Sequence, residues 1–232
     1  LLAQVDSSIG GKVGINHKLG KNLIGAFHPP RLVAIDPQLL DTLPRREFRA
    51  GLYEVIKYGM IASPTLFKKL GRELTAVFNH EPRALMSIIT KCCRIKASIV
   101  QSDERETGLR RVLNFGHTVG HAIESATRYR RFRHGEAVAF GMLAAASIAE
   151  TRGEFSTTDC NELGALIRRL GPLPSSNDLS IKQIINTVKQ DKKIIQGKLH
   201  FVLPTGIGLT TIVEDVTSKQ IERALKKLGM RN

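Results

Sequence analysis

Eighteen residues of this sequence hold three histidines, His117, His121 and His134, together with the carboxylate of Glu124. His117 and His121 are four residues apart, so a helix would place both imidazoles on one face, one turn apart. A further carboxylate, Glu136, follows His134 by two residues. Neutral imidazoles and carboxylates together suit a borderline divalent cation such as Zn²⁺. The spacing therefore predicts a metal site, and the alternative is two helices with polar ends and ordinary surface histidines.

Two other predicted helices carry charged residues that could belong to a site. Lys96 falls inside the apolar stripe of a helix predicted from Pro82 to Val100, so its ammonium must either reach outward to water or meet an anion. In a helix predicted to begin at Pro44, Glu54 and Lys57 share one face. Their spacing alone indicates no more than a surface ion pair.

The first thirty residues are rich in glycine, which lets a backbone approach a ligand closely. Lys12 and Lys21 could each face a phosphate as a point charge. The stretch is not a P-loop, because Asn22 stands where Ser or Thr would hold Mg²⁺. A phosphate-binding loop and a surface hairpin are both compatible with this spacing. A short strand is predicted next, at Leu32–Ile35.

Capping residues and glycines predict where the helices that carry these residues begin and end. The small apolar residues after His134 predict a buried helix that ends near Gly153. Further helices are predicted at 158–170, after Ser180 and after Thr217, where capping boxes begin two of them. Glycine-separated β-branched runs between the last two predict a small hairpin. The fold class is therefore mainly α, with short β segments near each end.

Composition limits the possible partners. The formal net charge is +14, but only 5% of residues are aromatic and the basic residues are spread along the chain, which argues against nucleic acid. No apolar run reaches the ~20 residues that span a bilayer. The three cysteines form no CxxC pair, which favours reduced thiols and a cytoplasmic protein.

Five motifs, in this order and covering almost the whole chain, resemble the 3-dehydroquinate synthase family. They are LLAQVDSSIGGKVGINHKLGKNLIGAF, GLYEVIKYG, SDERETGLRRVLNFGHTVGHAIE, HGEAVAFGM, and DKK followed by LPTGIG. The resemblance implies the helical C-terminal domain of the dehydroquinate synthase-like fold. We expect residues 1–43 to be a remnant of the junction with an NAD-binding domain otherwise absent from this chain. Residues 44–232 would form the helical metal- and substrate-binding domain.

The resemblance also implies an activity. Members convert 3-deoxy-D-arabino-heptulosonate 7-phosphate to 3-dehydroquinate and phosphate in the shikimate pathway of aromatic amino acid biosynthesis. They use catalytic NAD⁺ and one divalent metal, Zn²⁺ or Co²⁺, and are commonly homodimers. The expected partner is an anionic small molecule that carries a phosphate and a carboxylate.

Carried over residue by residue, the resemblance implies Glu54, His117 and His134 as metal ligands. His121 then turns to the substrate, and Glu136 becomes a charge at a helix start. The implied catalytic and substrate-binding residues are Asp6, Asn22, Lys57, Lys96, Arg110, Asn114, His121 and Lys192. The implied cofactor-binding residues are Lys12, Lys21, Leu39, Leu40, Asp41 and Thr42.

Two alternatives stay open. One is another sugar-phosphate cyclase, such as 2-deoxy-scyllo-inosose synthase, whose substrate has no carboxylate. Lys96, Arg110 and Asn114 together argue against it, since a guanidinium aimed at a carboxylate would lack its partner. The other is an isolated metal-binding helical domain that folds but has no activity.

Overall fold

The computed structural model describes residues 1–17, 20–106, 108–194 and 200–231, and for 16, 17, 20–23 and 191–194 it describes the backbone alone. Two antiparallel hairpins pair β1 with β2 and β3 with β4. The helices are α1 Arg45–Ala62, α2 Pro64–Arg72, α3 Leu74–Phe78, α4 Pro82–Ser102, α5 His117–Ala126, α6 His134–Thr151, α7 Thr157–Arg169, α8 Ile181–Ile194 and α9 Ser218–Lys227. The strands are β1 Lys12–His17, β2 Gly20–Phe27, β3 Phe201–Gly206 and β4 Leu209–Val213. The prediction of a mainly helical fold, with short β segments near the N-terminus and a small hairpin near the C-terminus, is confirmed.

Helix α6 is the centre of the core. Its residues are small and apolar, and it is buried almost all round between α1, α5, α7, α9 and β3. Glycines make this packing possible at two points. A Cβ at Gly141 would lie 1.8 Å from the carbonyl oxygen of Gly116, and one at Gly135 would lie 1.9 Å from that of Ala50. The sequence therefore brings the backbones of α5 and α1 directly against α6.

Helices α1 and α2 meet at a sharp boundary. The side chain of Ser63 accepts a hydrogen bond from the amide of Leu66, and Pro64 occupies the first turn of α2, an arrangement that favours a helix start. Leu66, Phe67 and Leu70 of α2 are buried. Neither α2 nor α3 was predicted from the sequence, because both are short and their apolar faces are defined by packing on the neighbouring helices.

The glycine-rich stretch near the N-terminus forms the β1–β2 hairpin, in which Lys12 pairs with Phe27. Its outer face exposes apolar side chains, and Ile15 is 64% exposed. The strand predicted at Leu32–Ile35 is wrong. That segment is irregular and Leu32 is 83% exposed, with no neighbouring strand in the described residues to pair with it.

Within the described ranges, every helix is too short or too polar to cross a lipid bilayer.

Candidate metal and anion site

Three side chains from three helices converge at one place in the fold. Glu54 lies in the middle of α1 and is fully buried, whereas His117 and His134 are the first residues of α5 and α6. One ligand atom from each lies within 4.8 Å of the other two. Nε2 of His117 is 3.8 Å from Oε1 of Glu54, and Nε2 of His134 is 3.5 Å from the same oxygen. Two ligands of a tetrahedral zinc ion, each at ~2.05 Å, would be about 3.3 Å apart, so these distances are close to those of a zinc site.

The backbone on each side of these histidines explains their position. Gly116 has a φ of +79° and separates a short 3-10 turn at Leu109–Asn114 from α5. Its left-handed conformation, which favours glycine, places His117 at the first position of the helix. His134 begins α6 after a capping box, in which the Glu136 carboxylate accepts from the amide of Arg133 at 2.9 Å. Glu136 therefore has the helix-start role expected of it.

The far nitrogens of both rings are also held. Nδ1 of His117 lies 3.1 Å from the carbonyl oxygen of Phe115. Nδ1 of His134 lies 3.3 Å from Oε2 of Glu124. Each ring therefore directs Nε2 towards Glu54, which is the arrangement expected of imidazoles that bind a metal through Nε2.

The donor set fits a divalent cation. Neither carboxylate oxygen of Glu54 makes a hydrogen bond of good geometry in the part of the chain that the structure describes, although Lys57 Nζ lies at ion-pair distance from Oε2. Burial alone would raise the pKa of Glu54, but Lys57 and the two imidazoles hold it well below its usual value. An ionised and incompletely paired carboxylate in the core is costly, and a bound cation would remove that cost.

The two histidines differ in their protonation. Burial, followed by the charge of Lys57, lowers the pKa of His117 to about 3, so its imidazole is neutral at physiological pH. Burial would also lower the pKa of His134, but Glu124 and Glu54 outweigh it and raise that pKa to about 9. In the absence of metal, His134 is therefore a cation between two carboxylates.

His121 lies one turn after His117 on α5, and the two ring centroids are 5.3 Å apart. It is exposed, however, and the structure groups it with Glu124 and His134 and not with Glu54. The HxxxH spacing therefore puts both histidines on one face of α5, but His117 is grouped with Glu54 and His121 is grouped with Glu124.

A second cluster of buried charges adjoins this site. Lys96 is 8% exposed and donates to the Asp6 backbone carbonyl at 2.6 Å and to the Asp6 carboxylate. Lys57 Nζ lies 3.6 Å from Oδ2 of Asp6, and the Tyr58 hydroxyl donates to Oδ1 at 2.8 Å. Burial lowers the pKa of Lys96. Of the two outcomes expected for this lysine, the structure shows the one in which it meets an anion.

The carboxylate of Glu106 connects two predicted site residues, although Glu106 itself was not predicted to belong to the site. It accepts from Lys12 Nζ and, at 2.8 Å, from the side-chain amide of Asn114. Its φ is +59°, an unusual value for a non-glycine residue. Nothing in the local sequence marks Glu106, because both the strained backbone and its two partners depend on the tertiary fold.

Arg110 has partners other than the predicted substrate carboxylate. Its side chain is 1% exposed and donates to the carbonyl oxygens of Gly10, at 2.7 Å, and Glu104. Nε of the guanidinium is buried and has no hydrogen-bond partner within the described ranges. In this structure Arg110 joins two loops beside the site, and its role towards a substrate stays a prediction.

The remaining predicted residues are the segment 39–42, implied to bind the cofactor, and three others. Leu40 is buried in the core, whereas Leu39, Asp41 and Thr42 are exposed and Asp41 pairs with His80 at 3.2 Å. The predictions for Lys21, Asn22 and Lys192 concern side chains that lie outside the described residues.

The basic loop at residues 128–133, just before His134, is anchored on both sides. Arg131 forms two hydrogen bonds with the Asp178 carboxylate, at 2.7 and 2.9 Å. Arg46 of α1 donates to the Arg131 carbonyl at 2.8 Å and makes two hydrogen bonds to the buried Glu136. These contacts fix the turn that delivers His134, which gives the loop a structural role.

The chain is similar to known proteins over almost its whole length. Residues 51–194 match the family described as 3-dehydroquinate synthase C-terminal, and residues 1–50 match 3-dehydroquinate synthase N-terminal. The chain belongs to the 3-dehydroquinate synthase family. The 3-dehydroquinate synthase of Nostoc punctiforme is 51% identical over 229 residues, which are 97% of this chain and 63% of that protein. That of Desulforamulus reducens is 48% identical over 228 residues, covering 98% and 64%.

Solved structures of related enzymes have the same fold. The 2-epi-5-epi-valiolone synthase of Streptomyces hygroscopicus, solved with NAD⁺ and Zn²⁺ bound, superposes with a TM-score of 0.88 at 29% identity, covering 98% of this chain and 63% of that one. A 2-deoxy-scyllo-inosose synthase, complexed with carbaglucose-6-phosphate, NAD⁺ and Co²⁺, gives 0.83 at 28% identity, covering 97% and 64%. The chain therefore spans slightly less than two thirds of its relatives' length, 63% for the protein from Nostoc punctiforme.

Proposed function

We propose that this chain forms the metal- and substrate-binding part of a 3-dehydroquinate synthase, which converts 3-deoxy-D-arabino-heptulosonate 7-phosphate to 3-dehydroquinate and phosphate. The observation that carries the proposal is the convergence of Glu54, His117 and His134 beside a cluster of buried lysines. In this proposal residues 1–43 join the chain to a cofactor-binding part, and residues 44–232 hold metal and substrate. The similarity to named 3-dehydroquinate synthases at about 50% identity supports it.

Glu54, His117 and His134 would hold one divalent ion, Zn²⁺ or Co²⁺. Three protein ligands leave coordination positions open, as a catalytic site requires. When bound, the ion would polarise substrate oxygens, and NAD⁺ would supply the hydride acceptor that no side chain can provide.

The contribution of the chain's own residues is charge and orientation. Lys57 and Lys96 are kept in the core by Asp6, so their ammonium groups are already desolvated and fixed before an anion arrives. Such preorganised charge stabilises a leaving phosphate more effectively than mobile surface lysines would. Lys12 and Asn114, which share Glu106, would position the other anionic end of the substrate.

Another sugar-phosphate cyclase is the second candidate, favoured by the superposition on 2-deoxy-scyllo-inosose synthase. The higher sequence identity to 3-dehydroquinate synthases favours the first. An inactive metal-binding domain is the third. A homodimer stays a prediction.

Phosphate release with NAD⁺ and Zn²⁺ separates these candidates. Release from the heptulosonate phosphate but not from glucose 6-phosphate supports the first. Release from glucose 6-phosphate supports the second, and metal binding without release supports the third.

Metal affinity tests the ligand set independently of turnover. We expect Glu54→Gln or His134→Ala to weaken Zn²⁺ binding at least about tenfold. Glu150→Gln is the matched control, because Glu150 lies on α6 but pairs with Lys227. Unchanged metal content in the ligand variants, measured by elemental analysis, would contradict the assignment.

A further inference from the structure

The carboxylate of Glu124 is not one of the three proposed metal ligands, yet it lies against one of them. Glu124 is on α5, two turns after His117, and is only 3% exposed. Its Oε2 lies 3.3 Å from Nδ1 of His134, while Nε2 of the same ring lies 3.5 Å from Oε1 of Glu54. The imidazole of His134 is therefore held between two buried carboxylates, one at each nitrogen.

Without metal, both ring nitrogens of His134 face a carboxylate, and each can donate a hydrogen bond to it. A bound cation makes the two contacts unequal, because it takes the lone pair of Nε2 in place of a hydrogen. An ionised carboxylate can only accept a hydrogen bond. With a cation at Nε2, the Glu124 carboxylate therefore accepts from the hydrogen that remains on Nδ1 and favours that tautomer.

We propose that Glu124 is a positioning residue for the metal ligand His134. It orients the ring and selects the tautomer that leaves Nε2 free for a divalent cation. The inference rests on the proposed function, because it assumes that the ion binds between Glu54, His117 and His134.

His117 provides an internal comparison. Its Nδ1 is held by the main-chain carbonyl of Phe115 at 3.1 Å, so the same orientation is reached without a charged partner. A main-chain carbonyl cannot be removed by substitution, whereas the Glu124 side chain can. Changes at Glu124 should therefore affect the His134 side of the site and leave the His117 side as it is.

A competing arrangement uses the same residues differently. His121, Glu124 and His134 also offer ligand atoms within 4.8 Å of one another, and an ion there would take the lone pair of His134 Nδ1. Two observations favour the positioning role. The Nδ1–Oε2 distance between His134 and Glu124 is already that of a hydrogen bond, and His121 is exposed whereas Glu54 is fully buried. The two arrangements differ in the nitrogen of His134 that binds the ion, which is Nε2 in the first and Nδ1 in the second.

Zinc affinity of variants tests the proposal. Zn²⁺ would be titrated against a competing chromophoric chelator in the wild-type chain, Glu124→Gln, Glu124→Ala and the control Glu150→Gln. We expect about tenfold weaker binding in Glu124→Gln, which keeps a neutral acceptor, and up to about a hundredfold in Glu124→Ala. Glu150→Gln removes the same charge from a partner of Lys227 and should bind as the wild type does.

Nitrogen NMR of the histidine rings in the zinc-loaded protein provides a readout that packing alone would not change. We expect Glu124→Gln to shift the Nδ1–H resonance of His134 and to leave that of His117 in place. Unchanged affinity in both Glu124 variants would overturn the proposal. So would zinc bound to Nδ1 of His134 in the wild-type chain, or a lower unfolding temperature in Glu124→Gln without a shifted His134 resonance. If the wild-type chain binds no zinc, the proposed metal site itself fails, which is a distinguishable result.

Discussion

Gly135→Ala should disrupt the metal site without changing a single ligand. Gly135 follows His134 at the start of α6, where the helix touches the backbone of α1. An added Cβ would lie 1.9 Å from the carbonyl oxygen of Ala50, whereas real Cβ contacts do not fall below 3.0 Å. Because that oxygen belongs to the backbone, no side chain can rotate away, and the two helices must separate by about 1.1 Å.

The size of the effect follows from that separation. Metal–ligand distances tolerate only about 0.2 Å, so a shift of ~1 Å removes His134 from the coordination shell of an ion held by Glu54. We expect zinc affinity to fall more than the ten- to hundredfold typical of lost outer-sphere contacts. Overpacking should also cost about 1–3 kcal/mol, which corresponds to a melting temperature about 2–12 °C lower for a chain of this size.

The assay combines zinc titration with thermal unfolding, and Gly71→Ala is the matched control. A Cβ at Gly71 would meet nothing closer than Arg169 Nη1 at 3.7 Å, and alanine favours a helix over glycine by up to about 1 kcal/mol. The control should therefore bind zinc normally and be no less stable. Wild-type zinc affinity in Gly135→Ala would refute the argument that contact between α1 and α6 sets the ligand geometry.

Three further outcomes test the surroundings of the site. Tyr58→Phe removes the 2.8 Å hydrogen bond to Asp6 and should lower the free energy of unfolding by about 1.5–3 kcal/mol, measured by urea denaturation; no change would show that Asp6 is held by its lysines alone. Arg46→Ala removes two hydrogen bonds to the buried Glu136 and should cost about 1–3 kcal/mol in the same assay, a loss contradicted by an unchanged midpoint. Cys92 is fully buried, and burial raises the pKa of its thiol well above the usual value, so mass spectrometry should find it alkylated only after unfolding; rapid labelling of the native protein would contradict this.

The predicted position of Lys96 shows how far pattern alone can reach. Its place in an apolar stripe correctly indicated that an ammonium would be forced to find an anion or to escape to water. The partner, Asp6, is ninety residues away in sequence, in a short helical turn at Ala3–Ser7. A helical period identifies which face of α4 is buried, but it contains no information about which segment covers that face.

The HxxxH spacing is similarly informative and incomplete. It places His117 and His121 on the same face of α5, as the ring distance of 5.3 Å confirms. It does not specify the residue opposite them. Glu54 comes from α1 and lies beside His117 of α5 and His134 of α6. These side chains meet because glycines let α1 and α5 pack against α6 at backbone contact.

By itself, the sequence determined the helical class of the protein, most of its helix boundaries and the chemical types available for a site. Caps, proline positions and apolar stripes act over a few residues, so they can be read locally. The resemblance of its motifs implied that Glu54 joins His117 and His134, and the tertiary structure supplied the distances between them. Only the tertiary structure decided that Glu106 connects Lys12 with Asn114 and that the basic loop is anchored by Asp178 and Arg46. The physical reason is that burial, pKa and ligand distance depend on neighbours brought together by packing, and those neighbours lie on separate helices.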